Sequence, residues 1–136
     1  MRNSTTKRRR PLALALALAA LASVPALAGT AVAVDDLYAP HARAAAKVQG
    51  SDGDLLASKN VASSWQVDTG KYCVKITDPD IDLTDAVVLA TPNSGSGNRT
   101  AEVRTTPTST CGDNITVFTH HATAGYVNTS FTIAVL

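Results

Sequence analysis

The sequence predicts a small all-β domain, an antiparallel sandwich or open barrel of about seven or eight strands with one disulfide, and three observations carry that expectation. Short Thr- and Val-rich runs alternate apolar and polar positions, the period of a half-buried strand. Connections rich in Gly, Asn, Asp and Pro interrupt these runs at turn spacing. The one strongly helix-favouring stretch, residues 12–22, stands at the front and reads as part of an export signal, so it drops out of the fold.

Lys7, Arg8, Arg9 and Arg10 precede that Ala/Leu run, and small residues follow at Ala26, Leu27 and Ala28. Positive, apolar and small in that order describe a secretory signal peptide over residues 1–28, with cleavage after Ala28 expected and after Ala33 the alternative. The run is shorter than the roughly 20 residues a membrane-spanning helix needs. No motif follows Arg9-Arg10 to favour twin-arginine export, which leaves the general secretory route.

Cleavage leaves 108 residues, enough for one small domain. The whole chain carries a formal charge of +1, but seven basic and eleven acidic residues remain after cleavage, a net −4. A mildly acidic chain without a basic stripe is a poor match for nucleic acid or an anionic membrane. Two cysteines, Cys73 and Cys111, travel to an oxidising compartment and allow one pairing, so a structural disulfide is expected.

Residues 29–43 read as a poorly ordered lead-in and 44–136 as the β domain. Asp35, Asp36 and Pro40 break any period, and Ala-rich residues 42–46 favour a helical turn. Asp52-Gly53 predicts a hairpin between 46–49 and 54–57. In 60–67, alternation brings Val61, Ser63, Trp65 and Val67 to one face. Asp68-Thr69-Gly70 turns the chain into 71–77, where Tyr72, Val74 and Ile76 oppose Lys71, Cys73 and Lys75. Cys73 is therefore expected on the less apolar side or at an edge.

Residues 86–91 form a continuous apolar run, which predicts an inner strand covered on both faces. Residues 92–98 are a loop by composition. In 100–106, Ala101, Val103 and Thr105 oppose Glu102 and Arg104. Residues 107–114 connect to a strand over 115–120. The last strand, 131–136, is too apolar for a free tail and is expected within a sheet.

Candidate sites are few. Asp78, Asp80, Asp82 and Asp85 carry oxygens at the odd offsets of a calcium loop, but Leu83 and Leu89 stand where an EF-hand needs Gly and a bidentate Glu. Their competing role is to bond backbone amides in an Asp-rich turn. His120 and His121 are adjacent on a strand, point to opposite faces and cannot chelate one metal together. Residues 94–97 lack the frame of both a nucleophile elbow and a phosphate loop. The Asn-x-Ser/Thr triplets at Asn98, Asn114 and Asn128 are read as turns in a Thr-rich chain. Trp65, Tyr72 and Phe131 are expected in the core, and Tyr38 and Tyr126 at the surface. No catalytic residue, cofactor or metal ligand set is singled out.

Asp52-Gly53-x-Leu55, Val61-Ala62-Ser63-Ser64, Gly70-Lys71-Tyr72-Cys73-Val74, Val88-Leu89-Ala90-Thr91, Val117-Phe118-Thr119 and Phe131-Thr132-Ile133-Ala134-Val135 together resemble a group of small secreted actinobacterial β-domain proteins of uncharacterised function. The resemblance spans most of residues 45–136. It implies a secreted β domain and supplies no catalytic or binding residue. Leu37-Tyr38-Ala39-Pro40 is similar to the start of secreted subtilisin inhibitors, a family with two disulfides where this chain can form one.

The function expected from these features is a secreted, non-catalytic β domain acting as an extracellular interaction or envelope-associated module, whose partner is an extracellular protein or glycan. Its rivals are a protease inhibitor presenting residues 92–100 or 105–113, and a small extracellular hydrolase.

Overall fold

A computed structural model describes residues 34–94 and 97–136; the expected signal peptide, both cleavage points and residues 95–96 of the expected loop lie outside them. Ten strands follow one another: β1 (Asp35–Asp36), β2 (Ala44–Val48), β3 (Leu55–Lys59), β4 (Val61–Asp68), β5 (Lys71–Ile76), β6 (Val88–Pro92), β7 (Arg99–Arg104), β8 (Ile115–His121), β9 (Gly125–Tyr126) and β10 (Phe131–Val135). Eight have five or more residues, and no helix is formed among the described residues. They make two open sheets, ordered β1-β3-β2-β10-β6 and β4-β5-β8-β7, with β9 paired to β8. Every pairing is antiparallel except β1 with β3. The expected all-β sandwich with one disulfide is the observed architecture.

Alternation fills the space between the sheets. Ala44, Ala46 and Val48 of β2 and Phe131, Ile133 and Val135 of β10 face Tyr72, Val74, Ile115 and Val117 of the other sheet, and all are buried. Val88, Ala90, Ala101 and Val103 complete the core from the flanking strands. The final strand lies between β2 and β6, inside its sheet, as its apolarity requires.

Three expectations need correction and a fourth, for Cys73, needs refinement. The Ala-rich stretch 42–46 is not a helical turn: Ala44 begins β2, where Ala44 and Ala46 pair with Val135 and Ile133 of β10, and tertiary pairing overrides alanine's helix propensity. Trp65 does not share a face with Val61. The β4–β5 register slips at Ala62, so Val61 pairs with Ile76 while Trp65 pairs with Cys73, and the bulge sends the indole to the outer face. Residues 86–91 are not an inner strand: β6 is a sheet edge, with Leu89 55% exposed and Val87 outside the strand altogether. Cys73 faces away from the core as expected, yet it lies on a strand paired on both sides and is fully buried beneath another part of the chain.

Two turns tie the sheets together. Gly53 adopts φ 85° in the β2–β3 hairpin, and a Cβ there would stand 2.3 Å from the Gln66 backbone nitrogen. This close approach lets the Gln66 amide donate to the Asp52 carbonyl at 2.9 Å. The buried Tyr72 hydroxyl donates to the Gly50 carbonyl at 2.8 Å and accepts from the Thr129 amide at 3.3 Å. One phenol thus joins the hairpin loop to the approach to β10.

Candidate functional site

The strand order of the second sheet assembles a surface that no single strand shows. In β8, Ile115, Val117 and Thr119 point inward, so Thr116, Phe118 and His120 point outward. Register places Lys71 and Glu102 on either side of Phe118, Cys73 and Arg104 on either side of Thr116, and Thr100 and Tyr126 on either side of His120. All nine share the outer face, because paired residues of an antiparallel ladder project together.

The aromatic groups form a continuous run. His120 stacks on Tyr126 with ring centres 4.5 Å apart, and Phe118 lies 6.0 Å from the same tyrosine. The Lys71 ammonium sits 5.0 Å above the Tyr126 ring and the Arg104 guanidinium 5.8 Å above Phe118, both within cation–π range. Tyr126 remains 47% exposed.

The disulfide builds a wall beside this run. Cys73 bonds to Cys111 and draws residues 105–113 down onto the sheet, with the two Cα atoms 5.4 Å apart. Thr108 and Gly112 exchange backbone hydrogen bonds of 3.0 and 2.8 Å, closing the segment into a tight turn. The Thr108 hydroxyl contacts that of Thr116 at 3.1 Å and accepts from the Cys111 amide at 3.0 Å. Between turn and sheet lies a cleft of about 170 Å³ whose lining includes Lys71, Arg104, Ser109, Thr110, Thr116 and Phe118. Among the described residues its lining has two basic side chains and no acidic one.

The Lys71 ammonium reaches Asp68 at 3.3 Å, outside the cleft. The Thr69 amide and then Lys71 hold the Asp68 carboxyl below the usual aspartate range. Arg104 makes no hydrogen bond or ion pair among the described residues. Among the described residues the only carboxylate in the aromatic run is Glu102, 3.6 Å from His120 Nε2 and 71% exposed, and that buried nitrogen has no hydrogen-bond partner there.

The acidic stretch is organised around its own backbone. Asp78 pairs with Arg43 at 2.9 Å and accepts from the Asp80 amide, and Asp82 accepts from both the amide and the hydroxyl of Thr84. The two Thr84 bonds lower the Asp82 pKa. Among the described residues no three His, Cys, Asp or Glu side chains form a group able to hold a metal, and Asp85 adds no carboxylate contact. His121 projects opposite to His120 and bonds Thr123. Tyr38, 91% exposed, stands apart on the lead-in beside Pro40. A shallow groove of about 410 Å³ beside Val34, Leu55, Leu56 and Ala62 is walled mainly by aliphatic groups.

Sequence reasoning assigned Tyr126 to the surface and Lys71 to the polar side of its strand, but it did not bring Phe118, His120 or Arg104 beside them. One signal was present. Within Ile115–His121 the phase that carries Thr116 also carries Phe118 and His120, an aromatic on the face away from the core. Comparison with protein-family models, curated proteins and solved structures returns no match to this chain.

Proposed function

We propose that the protein is a secreted, non-catalytic recognition module that binds an extracellular glycan on the outer face of the β4-β5-β8-β7 sheet. One observation carries the reading: Phe118, His120 and Tyr126 cluster as tilted, contacting rings on the outer face of the sheet, with Tyr126 47% exposed and none of the three in the core. Flat rings with apolar faces and polar edges suit the C–H faces of sugar rings. The hydroxyls of Ser109, Thr110 and Thr116 in the adjoining cleft can both donate to and accept from sugar hydroxyls.

Other features support the remaining terms. A buried disulfide suits an oxidising compartment. No helix among the described residues is long and apolar enough to cross a membrane. His120 and Glu102 lie outside the lining of the cleft, with Glu102 71% exposed and 3.6 Å from His120 Nε2; a general acid or base must stand within hydrogen-bond reach of the reacting group. Residues 108–112 close on themselves, whereas a loop offered to a protease must run extended.

The test is an array of plant, animal and bacterial glycans probed with the secreted protein. The reading expects saturable binding to at least one glycan, weakened about tenfold by Tyr126→Ala through loss of one stacking ring and unchanged by Leu89→Ser on the opposite sheet. Absence of binding to every glycan, or release of cleaved products, would overturn it.

A further inference from the structure

We infer that the cleft between Lys71 and Arg104 is a subsite for one carboxylated sugar unit, which makes the ligand an acidic glycan. The inference rests on the glycan-binding reading above and adds the charge and the place of one ring. Three observations carry it.

The first is unspent donor capacity. The Arg104 guanidinium has five N–H groups, lies over the Phe118 ring and bonds no acceptor among the described residues. The Ser109 and Thr110 hydroxyls at the tip of the turn likewise bond nothing there, and both residues are exposed. These donors are free to meet acceptor oxygens of a ligand in the cleft.

The second is charge. Two cations and no carboxylate line the cleft, on a chain whose described residues carry seven basic and eleven acidic side chains. Asp68 balances Lys71 from outside and leaves Arg104 uncompensated. Guanidinium and carboxylate match as a planar two-point pair, and a neutral sugar offers no such partner.

The third is shape. The volume of about 170 Å³ is well below the several hundred Å³ typical of larger ligands, and Phe118 supplies an apolar floor. A single ring stacked on that floor places its exocyclic carboxylate toward the cations and its hydroxyls toward Ser109, Thr110 and Thr116. An acidic amino-acid side chain would use the cations but leave the floor and the hydroxyl wall idle. The disulfide and the Thr108–Gly112 bridge fix the wall before binding, so little order is lost on association.

The experiment compares a polyuronate, a sulfated glycan, an uncharged glucan and an acidic peptide as ligands for the intact secreted protein, using calorimetry at two salt concentrations. Polyuronate binding that weakens at least tenfold with Arg104→Gln and falls with salt supports the inference. Arg104 is exposed and supports no core contact, so the variant should keep the parent's thermal midpoint. A second variant, Thr110→Val, should weaken the same ligand severalfold by removing one hydroxyl. Equal affinity for the uncharged glucan, preference for sulfate, or polyuronate binding indifferent to Arg104→Gln would overturn the inference and leave the glycan-binding reading standing. Binding of the acidic peptide alone would overturn both.

Discussion

Replacing both cysteines, Cys73→Ala with Cys111→Ala, perturbs stability and the cleft together. The crosslink spans 38 residues. In the chain-entropy treatment, closing a loop of that length stabilises the fold by about 4 kcal/mol at 25 °C. The double substitution avoids a buried unpaired thiol and retains both Cβ atoms, so the lost crosslink dominates the change. For a domain of this size, each kcal/mol moves the thermal midpoint by about 4–8 °C, which gives a fall of roughly 15–30 °C. Urea denaturation at neutral pH, followed by circular dichroism, measures the quantity directly. The slope of the unfolding free energy should also rise, because the uncrosslinked unfolded chain exposes more surface. A loss below about 1 kcal/mol would refute the reasoning. The turn would then be held by the Thr108–Gly112 and Thr108–Thr116 bonds without help from the crosslink.

Other outcomes follow from the same contacts. Tyr72→Phe deletes a buried hydroxyl that serves Gly50 and Thr129 and should destabilise by about 1–3 kcal/mol in the same urea assay. Burial raises the Tyr72 pKa above its ordinary 10.0, so folding holds the phenol neutral; stability is full below pH 10 and declines above it, and Tyr72→Phe should flatten that decline. Asp52, Asp68 and Asp82 are held below 3.8 chiefly by bonds from Asp54, Thr69 and Thr84. Their contribution is present above about pH 4 and is lost as pH falls through the lowered values, so the urea midpoint should drop between pH 5 and pH 2. Gly53→Ala places a Cβ 2.3 Å from the Gln66 nitrogen at a positive φ and should destabilise on the order of 2 kcal/mol or more, read as a lower thermal midpoint.

Much of the architecture was legible because a two-residue period is a local property. Arg99–Arg104 and Phe131–Val135 alternate cleanly, and each turns inward the face that its pattern marks. The crosslink followed from counting cysteines. The failures arose where geometry depends on a partner strand. No residue type announces the bulge at Ala62, yet that single extra position reverses the direction of Trp65. An apolar run such as Val88-Leu89-Ala90 has the same composition at an edge as in a sheet centre, and only the strand order decides between them.

The candidate site was legible in parts and not as a whole. Alternation assigns Lys71 and Arg104 to outward positions, but those residues stand far apart in sequence and meet only because β8 enters between β5 and β7. The wall of the cleft depends on Cys111 reaching back to Cys73, which gives residues 105–113 a position that their composition alone does not express.

Mapping amide chemical-shift changes while titrating the labelled protein with a short uronic-acid oligomer tests the binding face most directly. Saturating shifts should gather at Lys71, Arg104, Ser109, Thr110, Phe118 and Tyr126, with the β1-β3-β2-β10-β6 sheet silent. Shifts centred on Leu89 and Ala134, or a spectrum unmoved at millimolar oligomer, would contradict the assignment.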